Sequence, residues 1–282
     1  MADGVTRGVV AGPRFTRVVH GIHVPTHVAE SLEPGSLERL RLSCAALARV
    51  VPEGGFSHRT AARLMDAPMF GTHNRMQITV DPPKNPPRHK GVKGYERELL
   101  PIDVQIWRGL RITTAARTFV DLAEEMTMRE LVMVGDRFLR RRFMTTDELA
   151  ATIERFSGRR GLKVARLALA RLDGGSASGP ESLTRLRFED EGLPRPECNV
   201  DIHDALGTFI GCPDLTLRKP KILVDYDGAH HLTVDQQRSD SLRDRLYVAN
   251  GWVHLRATFR DTQPWAHDLY DVIRQLIVDR TP

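Results

Sequence analysis

The sequence contains no long apolar run; no stretch approaches the roughly 18 uninterrupted apolar residues that a bilayer-spanning helix needs. Its opening residues, MADGVTRGVVAGPRF, lack the apolar centre of a secretion signal, so a cytoplasmic location without membrane contact is expected. Cysteine is scarce: Cys44, Cys198 and Cys212 are odd in number and show no CxxC spacing. That leaves no basis for a disulfide framework or a thiolate zinc cage. Aromatic residues make up only 6%, but apolar residues reach 41% and charged residues 27%, the balance of a globular chain. No internal repeat is present.

A length of 282 residues accommodates two domains of ordinary size. The net charge of +5 conceals an asymmetry: residues 1–175 hold 28 Lys and Arg against 19 Asp and Glu, whereas residues 176–282 hold 13 against 17. A basic segment joined to an acidic one suits a phosphate-binding module beside a site that gathers carboxylates around a cation. The clearest boundary is Asp173-Gly-Gly-Ser-Ala-Ser-Gly-Pro180, where a basic helical pattern gives way to small residues. The expected organisation is a domain over 1–172, a linker over 173–180 and a second domain over 181–282.

The first half reads as α+β. Ser57 to Met65 has the pattern of a capped helix and Arg75 to Val80 that of a strand, followed by a proline-broken loop over residues 81–90. Strand-like Ile102 to Trp107 leads through Thr113 and Thr114, candidate N-caps, into a helix over 115–123, with further helices near 128–142 and 145–156. The second half begins with a helix opened by Pro180 and Glu181 and closed near Gly192. Strands follow at 197–202, 208–217 and 221–227, then a helix over 235–250, a strand over 252–256 and a last amphipathic helix. The order is αβββαβ with a terminal helix, an α/β arrangement.

Carboxylates gather in this second half. Alternation within a strand places Asp214 and Thr216 on one face, and Asp225 and Asp227 on one face of the next strand. An in-register hairpin then brings Asp214 to Asp225, with Glu181 on the helix that packs nearby. Several half-buried carboxylates repel one another unless a cation neutralises them. Hard oxygen ligands of this kind suit Mg²⁺ or Mn²⁺, and such an ion can activate water against a phosphodiester.

Pro213-Asp214 with Asp225-Tyr226-Asp227, in an αβββαβ order, resembles the PD-(D/E)xK nuclease superfamily. More narrowly, five blocks in order are similar to endonuclease-domain proteins related to the very-short-patch mismatch-repair endonuclease: Pro180 to Arg185, Cys212 to Leu215, Val224 to His231, Asp240 to Arg243 and Asn250 to Val253. This resemblance implies a restriction-endonuclease-like C-terminal domain in which Glu181, Asp214 and Asp225 hold the metal. Asp227 stands where the superfamily usually has Lys. His230, His231, Lys221 and Arg243 are the candidate replacements for that cation, and His231 is the first choice as general acid or base.

Residues 15–172 resemble more loosely an AbiEi-type antitoxin-like region, on Arg17 to Val24, Phe56 to Ala62 and Ile112 to Leu122. Lys84, Arg88, His89, Lys90 and Lys93, assigned to the proline-rich loop, and Arg140 to Arg142 are candidate phosphate contacts, as is Arg243. The expectation is a metal-dependent DNA endonuclease whose basic N-terminal domain helps to bind DNA. The alternatives are an inactive DNA-binding antitoxin or regulator on a nuclease fold, and a module that binds a protein partner. Nothing in the sequence fixes an oligomeric state.

Overall fold

The structure, a computed structural model, describes residues 12–19, 22–71, 75–228 and 234–281. It is a mixed α/β protein with several sheets and, among the described residues, ten α-helices. No described helix is long and apolar enough to cross a membrane. The chain divides into two compact units, one of residues 1–131 and 143–166, the other of residues 132–142 and 167–282.

The first unit begins with an antiparallel pair, β1 (Phe15–Val19) and β2 (Ile22–Pro25), followed by α1 (Thr26–Glu30) and α2 (Leu37–Ala48). Ser36 Oγ accepts the Arg39 N–H at 3.2 Å and caps α2. Next come β3 (Gly55–Phe56), α3 (His58–Leu64), β4 (Met76–Val80), β5 (Val92–Glu96), β6 (Val104–Trp107) and β7 (Leu110–Thr113). These strands form one sheet in the order β5-β4-β3-β7-β6. The helices α4 (Ala115–Leu122), α5 (Met128–Arg140), α6 (Thr146–Arg155) and α7 (Leu162–Leu169) complete this stretch, with α5 and α7 each crossing the division between units.

Ser57 precedes α3 as expected but makes no side-chain cap bond. Its Oγ lies 2.9 Å from His58 Nδ1 and accepts from Thr79 Oγ1 at 2.8 Å. A buried ionic cluster braces α4: Arg117 donates to Asp121 at 3.1 Å and to Asp103 at 3.2 Å, and Arg159 donates to Asp121 at 2.7 Å.

In the second unit, α8 (Gly179–Asp190) is capped by Ser178, whose Oγ accepts the Glu181 N–H at 3.3 Å. Leu186 and Phe188 of α8 are fully buried. So is Arg185, which donates to Asp136 at 2.9 Å. The strands β8 (Glu197–Cys198), β9 (Ile202–His203), β10 (Phe209–Gly211), β11 (Leu215–Leu217) and β12 (Ile222–Tyr226) lead to α9 (Val234–Ala249), β13 (Val253–Ala257) and α10 (Asp268–Arg280). The main sheet runs β13-β12-β11-β8, with β12 and β13 parallel and the other pairs antiparallel. One face carries Leu215, Leu217, Ile222 and Val224 against Phe188, Tyr270 and Ile273. The opposite face carries Leu223 against Ile202, Ile210 and Tyr247.

Two of the expected strands are broken, each for a local reason. The stretch 197–202 splits at Asn199, which adopts φ 50 and uses its amide to bind the Gly175 carbonyl and Glu181 Oε2, each at 2.9 Å. The stretch 208–217 splits at Cys212-Pro213, where proline has no N–H to continue a ladder. Asp214 is therefore not within a strand; it occupies the gap just before β11.

Candidate active site

The site is built on the hairpin β11–β12. Its register pairs Leu215 with Val224, so Asp214 and Asp225 meet at the next step along the ladder. The Asp214 N–H donates to Asp225 Oδ1 at 2.9 Å, and the Tyr226 N–H donates to Asp214 Oδ2 at 2.7 Å. Each carboxylate is thus held by a backbone N–H of the other's segment. Glu181 enters from α8, with Oε2 accepting from the Ala177 N–H at 2.7 Å and from Asn199 Nδ2 at 2.9 Å. The Asn199 N–H in turn donates to the Asp214 carbonyl at 2.9 Å, tying the helix start to the hairpin.

A histidine that the sequence analysis did not single out completes the arrangement. The parallel register of β12 and β13 pairs Leu223 with His254. His254 Nε2 lies 3.0 Å from Asp225 Oδ2 and Nδ1 lies 2.7 Å from Asp244 Oδ1, so the imidazole bridges a sheet carboxylate and one on α9. Alternation along β13 does place His254 and Arg256 on one face. What no local pattern supplies is the register that sets this face beside Asp225.

Asp214, Asp225, Asp244 and His254 border a cleft of about 270 Å³ that also reaches Asp227, Asp240 and Arg243; Glu181 stands behind it, outside the lining. Burial is the largest influence on the Asp214 carboxyl and, with the negative charges of Glu181 and Asp225, pushes it up to about 7. Burial acts upward on Asp225 too, but hydrogen bonds from His254 and from the Asp214 N–H take it below its ordinary value. For His254, burial disfavours the cation, yet Asp225 and Asp244 outweigh burial and raise it. The site sets a carboxyl that is pushed up beside one that is held down.

The remaining expected residues are placed as follows. Asp227 is exposed at the cleft, with its N–H bonded to the Ala257 carbonyl at 2.7 Å. Arg243 borders the cleft, 3.4 Å from Asp240, and its charge acts on Asp225. Lys221 sits at the other end of β12, where its ammonium donates to the Asn250 carbonyl at 3.2 Å; it does not join the site. His230 and His231 lie outside the described residues. Lys84, Arg88 and Lys90 stand exposed on the proline-rich loop. Lys93 does not belong to that loop: it lies on β5, where Glu125 draws its ammonium into a 2.6 Å contact.

Among the described residues, no three His, Cys, Asp or Glu side chains stand ready as a metal cage. The donor chemistry is nonetheless of the kind a hard cation takes: the carboxylates of Asp214 and Asp225 converge on the hairpin, each held by a backbone N–H of the other's segment.

Two proteins of Mycobacterium tuberculosis are similar to the chain: the uncharacterized protein Rv2248 of strain ATCC 25618 / H37Rv and the uncharacterized protein MT2308 of strain CDC 1551 / Oshkosh. Each is 34% identical over 95 residues, which is 34% of this chain and 35% of the relative. The chain therefore matches about a third of the length of these relatives. No protein-family model matches.

Proposed function

We propose that the protein is a metal-dependent DNA endonuclease, with a PD-(D/E)xK-type site in its second unit and an AbiEi-like first unit that helps to hold DNA. The observation that carries this reading is the meeting of Asp214 with Asp225, where burial and then the charges of Glu181 and Asp225 push the Asp214 carboxyl up. Glu181, Asp214 and Asp225 would hold Mg²⁺ or Mn²⁺, which when bound neutralises phosphate charge and makes a water nucleophilic. The two N–H bonds across the hairpin orient the paired carboxylates, and His254 anchors Asp225 from the adjacent strand. Arg243 is suited to receive a phosphate oxygen at the cleft, and His231 keeps the proposed proton-transfer role. Lys84, Arg88 and Lys90 supply phosphate contacts that position DNA without reading its sequence.

The test is cleavage of labelled single-stranded, paired and mismatched DNA in Mg²⁺ and Mn²⁺ by wild type and Asp214→Ala. Cutting by wild type alone, stopped by EDTA, is expected. No cutting by either protein sinks the enzyme reading.

One observation favours a second reading, an inactive DNA-binding regulator on the same fold. Both Asp225 oxygens are already engaged, Oδ1 by the Asp214 N–H and Oδ2 by His254, and Asp227 offers no positive charge in place of the usual lysine. DNA affinity indifferent to Asp214→Ala, without turnover, would establish it. A co-purifying protein without salt-dependent DNA affinity would point instead to a partner-binding module.

A further inference from the structure

A second, larger cavity, a trough of about 600 Å³, opens along β13, one of the two edge strands of the four-stranded sheet among the described residues. It shares Asp244, His254 and Arg256 with the lining of the carboxylate cleft, so the two adjoin at those residues. The far end differs in character. Val248 and Trp252 give it an apolar wall, and Arg256 and Arg280 stand beside them. The Trp252 ring packs on its inner side against the cluster around Leu223 and Tyr247, which fixes its position.

One cation lies over that ring and two more line the cavity. Lys221 Nζ lies 6.0 Å from the ring centroid, held there by the Asn250 carbonyl. Arg280 donates to the Pro220 carbonyl at 2.6 Å and to the Gly251 carbonyl. An ammonium has three donors and a guanidinium five, so both groups retain N–H bonds to give. Arg256 is 43% exposed and reaches Asp244 only at 3.5 Å. Among the described residues, Asp244 is the single carboxylate lining this cavity, and His254 already occupies its Oδ1.

An apolar, ring-bearing wall beside two arginines matches the two parts of a nucleotide. We propose that this trough holds an unpaired DNA strand leading away from the carboxylate cleft, with a base stacked on Trp252 and phosphates at Arg256 and Arg280. The identity of the ligand rests on the nuclease reading. A base within a duplex has both faces covered by its neighbours, so only an unpaired base can offer a face to a ring recessed in a cavity. The excess of cations over carboxylates favours a polyanion over a peptide added to the β13 edge.

The experiment uses the full chain in EDTA, which prevents cleavage. Fluorescence anisotropy measures its affinity for a labelled single strand of about 12 nucleotides, within the site sizes of stacking grooves, and for the matching duplex. Trp252→Ala is expected to weaken single-strand binding about tenfold and to leave duplex binding unchanged. Trp252→Phe should retain most of the affinity, and Arg256→Gln should lower it and reduce the salt slope by about one. Equal shifts for strand and duplex, or no shift in a variant whose circular dichroism matches wild type, overturn the proposal. If Trp252→Ala fails to fold, Trp252→Phe and Arg256→Gln decide by the same criteria. Cleavage in Mg²⁺ is scored separately. Trp252-dependent strand binding without cleavage keeps the trough and removes the nuclease; cleavage and binding that ignore Trp252 do the reverse.

Discussion

Asp214 and Asp225 hold each other in place: the N–H of Asp214 binds Asp225 Oδ1, and the N–H that follows Asp225 in the chain binds Asp214 Oδ2. Neither carboxylate can swing away without breaking a bond to the opposite strand. Asp214→Asn preserves the acceptor oxygen while removing charge, so DNA cleavage should fall at least about 100-fold, the scale of a lost electrostatic contact, with little change in thermal midpoint. A turnover assay paired with a melting curve checks this.

His254 positions Asp225 through a 3.0 Å bond and is itself held by Asp244. Partners that orient a ligating carboxylate are worth about 10 to 100-fold in metal affinity or activity. His254→Gln should weaken Mn²⁺ binding by that range, as followed by electron paramagnetic resonance, and Asp244→Asn should do so less. Unchanged Mn²⁺ affinity in both variants would remove His254 from the site.

Metal addition has a thermodynamic signature apart from turnover. An ion that binds only the folded state at about 100 times its dissociation constant stabilises by about 2.7 kcal/mol. Mg²⁺ or Mn²⁺ should therefore raise the melting temperature of wild type, and Asp214→Ala should abolish the rise.

Glu125 links stability to pH. Burial pushes its carboxyl up, but hydrogen bonds from Lys93, Tyr95 and Gln77 take it down to about 2. A carboxylate lowered on folding stabilises fully above its unfolded value of 4.5, and the contribution is lost as pH falls from there toward 2. Glu125→Gln should cost about 1–2 kcal/mol at pH 7, after allowing for solvent screening, and less at pH 3. Urea unfolding at the two pH values measures the difference.

Arg185 and Asp136 are both buried and 2.9 Å apart. Asp136→Ala leaves the buried Arg185 guanidinium with only its 3.2 Å contact to Glu189 and should cost about 3 kcal/mol. Joint replacement by Asp136→Leu and Arg185→Met should recover most of that in equilibrium unfolding.

The meeting of Asp214 with Asp225 was legible in the sequence because strand alternation and a short hairpin fix neighbours only eleven residues apart. His254 and Asp244 were not. Their place depends on the parallel register of β12 with β13, and a 16-residue helix lies between those strands. Lys93 was misassigned because proline-rich composition marks where a loop begins more sharply than where the next strand resumes. Arg117 and Arg185 gave no sign of burial, since arginine is usually exposed and only its tertiary partners justify an interior position.

The second unit takes residues 132–142, most of them from α5 and including Asp136, whose carboxylate also accepts the Asp173 N–H at 2.6 Å. Residues 143–166 of the first unit intervene before the chain returns. A truncation at the glycine-serine run near residue 175 would therefore remove Asp136 and leave the buried Arg185 to Glu189. No single cut separates the two units, and a gene fusion with one crossover cannot swap either of them whole. A change of partner domain in evolution would need two breakpoints or a rebuilt start to α8.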